Sequence, residues 1–446
     1  MHADEKRLLR RENPARAVLE SRGWYHSFKF PDGTEFEGVL PVELSEARYA
    51  EFPLPADLTG KTLLDIGAWD GWFAFEAERR GAVVTAMDTV EVPNFRTVHR
   101  KLQSRVTYRE LDLFEVPAAK LGSFDYVLFL GVLYHTKHPL LALEIVCGLT
   151  REIAIVESYV TDSRNWKQHT LDIPSLEFYE TDELGGQMDN WFGPTVGGLM
   201  ALCRAAGFAR VELLSARDNR AAVACYRRWE PEAEIATAPK TKLVRVSNSV
   251  RGGINFRSSR DEYLTWWFEP GAEPDGLRRD EIRLEVDGFG VLATFVGKTA
   301  NGWIVNSRVP PYLASGWHEA RMRIPSLGWS DPVRFAMDIE ARAGDVAITI
   351  ACDGVSWERN VIDISRSPAY LTVWVTGLSE NADEANVLLE ANGTPLDVEY
   401  VSLPEGNGSR QVNGKWPAAL SAGSYAVVVR HAEKSSAPAT ILARPA

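Results

Sequence analysis

The stretch from Thr62 to Gly71, Thr-Leu-Leu-Asp-Ile-Gly-Ala-Trp-Asp-Gly, constrains this chain more than any other. A short apolar run through Leu63 and Leu64 ends in Asp65 and breaks into a glycine-punctuated turn. A helical pattern follows at once, with Trp72 and Phe75 three apart and Phe73 and Ala77 four apart. The segment predicts a strand–turn–helix unit whose turn gathers backbone N–H groups and a carboxylate at one point. A dinucleotide site would need the spacing G-x-G-x-x-G to clear room for a pyrophosphate. Here only Gly67 and Gly71 are present, and Trp69 stands where the middle glycine would be. An acidic residue ahead of the first glycine suits a ligand with a positively charged amino-acid end better than one with phosphates.

Three further runs follow the same plan. Ala82–Met87 reads as a buried strand ending in Asp88, 23 residues beyond Asp65. A carboxylate there can accept both hydroxyls of a ribose. Val106–Arg109 leads into Leu111-Asp112-Leu113, and Phe124–Leu130 makes a fourth strand before Gly131-Val132-Leu133-Tyr134-His135. Asp-x-Gly-x-x-x-Gly, with carboxylates after three successive strands, resembles the class I S-adenosylmethionine (SAM) methyltransferases. The resemblance implies an α/β Rossmann-like domain with SAM as cofactor. Its site would be formed by Asp65, Gly67, Ala68, Trp69, Gly71, Asp88, Asp112, Leu113 and Gly131, with Asp112 meeting the adenine amino group. A doubly wound domain with an unrelated ligand is the competing reading of the pattern.

Gly131–His135 with His138-Pro139-Leu140 resembles the branch containing the wobble-uridine tRNA methyltransferase-like proteins. So does Trp191-Phe192-Gly193-Pro194-Thr195 followed by Leu199-Met200 and Ala205-Ala206-Gly207-Phe208. The likeness runs from Trp24 to Ala224. Bacterial carboxymethyl-uridine enzymes of that branch hold a carboxylated SAM through basic and aromatic residues ahead of motif I. In this chain that stretch reads Trp24-Tyr25-His26-Ser27-Phe28-Lys29-Phe30-Pro31-Asp32-Gly33, without a basic cluster. Ordinary SAM and a methyl transfer are therefore expected.

Charge bears on the acceptor. The 446 residues carry a formal net charge of −12, and their concentrated basic run is Lys6-Arg7-Leu8-Leu9-Arg10-Arg11. A protein gripping RNA usually replaces counterions along the phosphates with a basic surface. Nucleic acid is thus disfavoured as a partner, though a local patch can hide within a net charge. Neither a signal-peptide core nor a run of about 18 apolar residues is found, so no membrane association is expected. Cys147, Cys203, Cys225 and Cys352 form no C-x-x-C pair and read as buried thiols of a reducing cytoplasm.

The methyltransferase pattern closes with Val211–Leu214 and Ala221–Tyr226, and a charged, proline-bearing linker follows at Glu230–Lys240. Short alternating runs bounded by Gly, Pro, Asn and Asp then argue for all-β structure. They contain an internal repeat. Tyr263-Leu264-Thr265-Trp266-Trp267 recurs as Tyr370-Leu371-Thr372-Val373-Trp374, and Leu284-Glu285-Val286-Asp287-Gly288 as Leu389-Glu390-Ala391-Asn392-Gly393. Val305-Asn306 matches Val412-Asn413, and Leu313–Gly316 matches Leu420–Gly423. Two all-β immunoglobulin-like sandwich domains after the α/β domain are the reading drawn from this. The expected divisions are an N-terminal extension or lid (1–55), a methyltransferase domain (56–228), a linker (229–242) and sandwiches at 243–366 and 367–446. Such a pair can bind glycans, form a homo-oligomer or act as a spacer. Trp266, Trp267, Trp303, Trp317, Trp329 and Trp357 are either stacking faces for sugars or core residues.

Methyl transfer is an in-line displacement on an already activated sulfonium, so positioning and exclusion of water are the enzyme's main tasks. A general base is needed only where the acceptor must lose a proton, as a hydroxyl does. His135, just past strand four, is the best candidate base, and Tyr134 lines the pocket by resemblance. Glu157 ends strand five and is a second base candidate, or else a salt-bridge partner. His138 belongs to the start of the next helix. Between Thr161 and Asn190, residues Asp162, His169, Asp172 and Glu177 could bind a metal, but a solvated loop explains them and no metal is expected. The expected activity is methyl transfer to a hydroxyl of a small molecule or saccharide. A tRNA wobble-uridine modifier and a non-catalytic scaffold are the alternatives.

Overall fold

A computed structural model describes residues 23–445 apart from 91, 117–119, 162–172, 231–238, 271–275 and 326. The basic run Lys6–Arg11, most of the proposed linker, and Asp162, His169 and Asp172 lie outside the described residues. The chain divides near residue 232 into two compact units, with Gly288–Leu292 and Pro310–Tyr312 grouped with the first.

The first unit is built on a seven-stranded sheet. Its strands are β1 (Thr62–Ile66), β2 (Val83–Asp88), β3 (Thr107–Glu110), β4 (Phe124–Leu130), β5 (Thr150–Tyr159), β6 (Arg210–Arg217) and β7 (Arg220–Tyr226). They lie in the order β6-β7-β5-β4-β1-β2-β3. The first five run parallel, and β7 inserts antiparallel between β5 and β6. Parallel strands covered on both faces should be apolar throughout. Leu63, Leu64, Val127, Leu128, Phe129, Ala154, Ile155 and Val156 are accordingly all buried.

Alternation along β1 sends Leu63 and Leu64 to opposite faces, each into its own core. On the Leu63 side lie helices α1 (Val42–Ala50), α2 (Trp72–Arg79) and α3 (Pro93–Leu102). On the other lie α4 (Pro139–Leu149) and α5 (Val196–Ala205). The expected helix after Gly71 is α2, and it buries Trp72, Ala74, Phe75 and Ala77. The stretch Trp24–Phe36 forms a small hairpin, Phe28–Lys29 against Glu35–Phe36, whose aromatic side chains join the Leu63 core.

The second unit is strand-rich. Its first repeat contains β8 (Lys242–Asn248), β9 (Asn255–Phe256), β10 (Tyr263–Glu269), β11 (Arg283–Val286), β12 (Ala293–Thr299), β13 (Gly302–Arg308), β14 (Gly316–Arg323) and β15 (Val333–Met337). The second contains β16 (Ala347–Asp353), β17 (Val361–Asp363), β18 (Tyr370–Thr376), β19 (Val387–Ala391), β20 (Thr394–Val401), β21 (Arg410–Lys415), β22 (Gly423–His431) and β23 (Ala439–Arg444). One sheet of the first repeat runs β8-β10-β13-β12, and the other includes β9-β15-β14-β11. The second repeat runs β16-β18-β21-β20 and β19-β22-β23-β17, with β20 pairing into both halves. Each strand of one repeat therefore has a counterpart in the other, down to the parallel pairs β9–β15 and β17–β23.

This pairing corrects one expected boundary. Ala347–Asp353 hydrogen-bonds to β18, so the second repeat begins ahead of Ala347 and not at residue 367. Register across strands decides the matter. Among the described residues no helix is long and apolar enough to cross a membrane. All four cysteines are buried and unbridged.

Candidate cofactor and acceptor site

A cleft of about 1900 Å³ opens beyond the carboxyl ends of β1, β2, β4 and β5, where an open α/β sheet presents its ligands. Asp65, Gly67, Ala68, Trp69, Asp88, Asp112, Leu113, Gly131, Tyr134, His135 and Glu157 all line it. Gly71 does not. It packs against Phe75 and Phe95, and a side chain there would come within 2.6 Å of the Phe95 ring, so Gly71 shapes the turn from behind.

The turn after β1 takes its form from left-handed backbone. Gly67 has φ +74°, and an added Cβ would stand 2.3 Å from Val132 Cγ2. Gly67 N and Ala68 N donate to the Met87 carbonyl at 2.8 and 3.1 Å. Trp69 N donates to Asp88 Oδ2 at 3.0 Å, and Thr89 N to Asp88 Oδ1 at 2.8 Å. The N–H groups expected to face a ligand are thus engaged inside the fold. What they do instead is fix the Asp88 carboxylate at the cleft edge, with lone pairs left for hydroxyl donors.

Asp65 is buried, and its carboxyl is pushed up to about 7 by burial and then by the nearby negative charges of Asp88 and Asp70. A cation beside this carboxylate would favour its charged form, and SAM carries one in its ammonium. The donor set fits that cofactor. Asp112 accepts from Phe114 N at 2.8 Å and caps the short turn that carries Leu113 into the cleft wall.

Sequence reasoning missed Asp70. It is fully buried and accepts two hydrogen bonds from His26, from the backbone N at 2.8 Å and from Nδ1 at 2.5 Å. The clasp fastens the N-terminal aromatic segment onto the glycine turn and brings Tyr25 and His26 to the cleft. Burial raises the Tyr25 phenol, while the positive charge of Arg220 pulls it back.

At the acceptor end, Tyr134 and His135 sit on the single turn Leu133–His135 directly after β4. The Tyr134 hydroxyl accepts from Arg220 Nη1 at 2.9 Å. Arg220 also grips Glu157 with two parallel bonds, Nε to Oε1 at 2.6 Å and Nη2 to Oε2 at 2.5 Å. Glu157 is therefore engaged by a guanidinium, and of its two expected roles the geometry favours the salt bridge over the base. Arg220, also absent from the sequence-based site, enters through the tight β6–β7 turn, where Asp218 and Asn219 take φ +51° and +61°. Its one readable signal was that turn, Asp-Asn followed by Arg.

The His135 Nδ1 lies 3.3 Å from both the backbone oxygen and the Oδ2 of Asp189. Burial holds the imidazole below its ordinary pKa, opposed by Asp189, so it is neutral at pH 7. His138 stands at the N-cap position of α4 without a side-chain capping bond. The Trp191 N–H donates to the Tyr134 carbonyl at 2.7 Å, and Lys137 stands over the Trp191 ring. Glu177 accepts from Tyr179 at 3.2 Å. Among the described residues no group of three or more His, Cys, Asp or Glu side chains could hold a metal.

Comparison with family models agrees with this layout. Residues 43–213 match a family described as a methyltransferase domain. A tRNA U34 carboxymethyltransferase from Pseudomonas fluorescens (strain SBW25) is 29% identical over 201 residues, covering 43% of this chain and 56% of that protein. One from Pseudomonas aeruginosa (strain LESB58) is 31% identical over 180 residues, covering 37% and 51%. The chain thus spans about half the length of the curated relatives it matches. Among solved structures, the N-terminal domain of EvdMO1 with SAH bound aligns at 21% identity and a TM-score of 0.37, over 48% of this chain and 95% of that one. Residues 43–213 form a methyltransferase domain of the class I fold, and the cleft is laid out for SAM.

Proposed function

We propose that this protein transfers a methyl group from SAM to a hydroxyl of a small molecule or saccharide, with His135 as general base. The observation that carries the proposal is the place of His135 on the cleft wall beside Tyr134, with its Nδ1 3.3 Å from Asp189. Bound SAM supplies an electrophilic methyl on a sulfonium. Asp88 would hold the ribose hydroxyls, Asp65 the amino-acid end, and Asp112 with Leu113 the adenine. With Nδ1 turned to Asp189, Nε2 of His135 would take the acceptor proton as the oxygen attacks the methyl carbon and the C–S bond breaks. Arg220 and Glu157 would act by fixing Tyr134, and the clasped segment around Tyr25 by excluding water.

The curated relatives favour a second reading, a wobble-uridine tRNA modifier. Against it stand the net charge and the state of Arg220. The Arg220 charge that a carboxylated donor would call on is already balanced by Glu157, with two of its five N–H donors left over. We also read the strand orders β8-β10-β13-β12 and β9-β15-β14-β11 as the A-B-E-D and A′-G-F-C sheets of an immunoglobulin-type sandwich. The test is SAM turnover, followed as S-adenosylhomocysteine release, against a panel of saccharides, small alcohols and unmodified tRNA. Turnover with a hydroxyl compound that His135→Ala abolishes supports the first reading. Turnover with tRNA alone supports the second, and no SAM binding at all would point to a scaffold.

A further inference from the structure

Trp69 differs from every aromatic residue around it. It takes φ +50°, left-handed backbone that suits glycine and is a genuine outlier for so bulky a side chain. The rings that follow it belong to the core. Trp72 and Phe75 are buried, the first edge-on to Phe73 and the second tilted against Phe95. Trp69 is 41% exposed and lines the cleft. Its indole has neither a ring partner nor a hydrogen bond among the described residues. Strain held at a ligand cleft, on a ring that the fold itself leaves unpaired, indicates a contact with the ligand.

Its position selects the part of the ligand it meets. The Trp69 N–H donates to Asp88 Oδ2 at 3.0 Å, which tethers the residue beside the carboxylate assigned to the ribose hydroxyls. Four residues earlier stands Asp65, assigned to the amino-acid end. In SAM the sulfonium joins those two parts, bonded to the amino-acid side chain on one side and to the ribose C5′ on the other. We propose that the Trp69 indole covers the sulfonium of bound SAM and favours the charged cofactor over its neutral product.

The inference rests on SAM as cofactor and adds a residue that responds to the charge on sulfur. The face of an indole is the negative part of its quadrupole, and tryptophan is the strongest aromatic partner for a cation. Methyl transfer leaves the electron pair of the broken C–S bond on sulfur. S-adenosylhomocysteine is therefore an uncharged thioether that keeps the ammonium, carboxylate, ribose and adenine. The hydrogen-bonding roles given to Asp65, Asp88 and Asp112 are the same for both forms, and the ring face adds a preference for the charged one. Release of the product is eased, since its attraction to the ring ends with the charge.

Calorimetric titration of the full chain with SAM, S-adenosylhomocysteine and sinefungin, which has an ammonium-bearing carbon in place of the sulfonium, tests this. Trp69→Leu should weaken SAM and sinefungin about fivefold and leave S-adenosylhomocysteine unchanged. Trp69→Phe, which keeps a ring, should fall between. Binding of the neutral product reports an intact cofactor cleft in each variant, independently of turnover. The proposal is overturned if Trp69→Leu changes the affinities for SAM and S-adenosylhomocysteine by the same factor, or changes neither. That is the result if the ring packs on ribose or adenine, or only shapes the turn. If Trp69→Leu binds neither ligand, Trp69→Phe decides: a SAM-to-product affinity ratio about twofold below wild type supports the contact, and an unchanged ratio overturns it. Binding of neither ligand by the wild type would remove the cofactor itself, and this contact with it.

Discussion

The two ends of the cleft are built differently. At the cofactor end each functional residue lies at or just beyond the end of its own strand: Asp65 one residue before the end of β1 with Gly67 to Gly71 after it, Asp88 at the end of β2, Asp112 after β3. At the acceptor end, Arg220 reaches back 63 residues to Glu157 and 86 to Tyr134. A site made of strand ends is set by local chain geometry. One made of cross-sheet ion pairs depends on tertiary packing, and it can be altered without disturbing the fold. In this family of folds, cofactor use should therefore be the more robust property and acceptor choice the more variable.

Five variants would break or sharpen that contrast. The largest effect is expected for His135→Ala, which should lower kcat by about a hundredfold to ten-thousandfold with a hydroxyl acceptor while SAM affinity stays unchanged. Because burial lowers the His135 pKa, wild-type activity should persist below pH 6.5 before it falls. Retained turnover would remove the proposed base. Next, Arg220→Ala strips a partly buried Glu157 of its partner and should cost about 3 kcal/mol of stability, read as a lower urea midpoint. Glu157→Gln should lower kcat far less than His135→Ala does; an equal loss would return Glu157 to the role of base.

At the cofactor end, Gly67→Ala meets both the left-handed backbone and Val132. It should cost about 2 kcal/mol and weaken SAM binding, as calorimetry would show. The last effect is a pH dependence. The Asp65 carboxyl titrates near 7 in the fold against 3.8 unperturbed. Its contribution to stability is therefore fully present below pH 3.8 and is lost as pH rises through 7. A cation reverses the preference, so below pH 7 SAM binding should release up to one proton, and its affinity should rise by up to about tenfold per pH unit as pH climbs to 7, then level off. Asp65→Asn should flatten that profile.

The cofactor end was legible because its signals are local: a strand that ends in a carboxylate, a glycine where the backbone turns left-handed, and spacing that repeats. Even there the direction of the turn's N–H groups was misjudged. They close on Met87 and Asp88, a fact of strand pairing that no spacing records. Asp70 escaped notice because its partner His26 lies 44 residues upstream. Arg220 escaped because an arginine after a turn looks like any solvated surface residue.

The repeat shows the same division. Its recurring words were visible in the sequence, since turn residues and strand alternation are local. Which of two adjacent tryptophans is core was not. Trp266 and Trp267 differ only in the parity that strand pairing assigns, yet the first is fully buried and the second lies outward. By itself the sequence determined the α/β class, the strand-end carboxylates and the doubled β half, because strand periods and glycine turns are properties of neighbouring residues. Only the tertiary structure decided which charges are already paired, where the second repeat begins and which face each aromatic residue shows, because these depend on register between strands far apart in the chain.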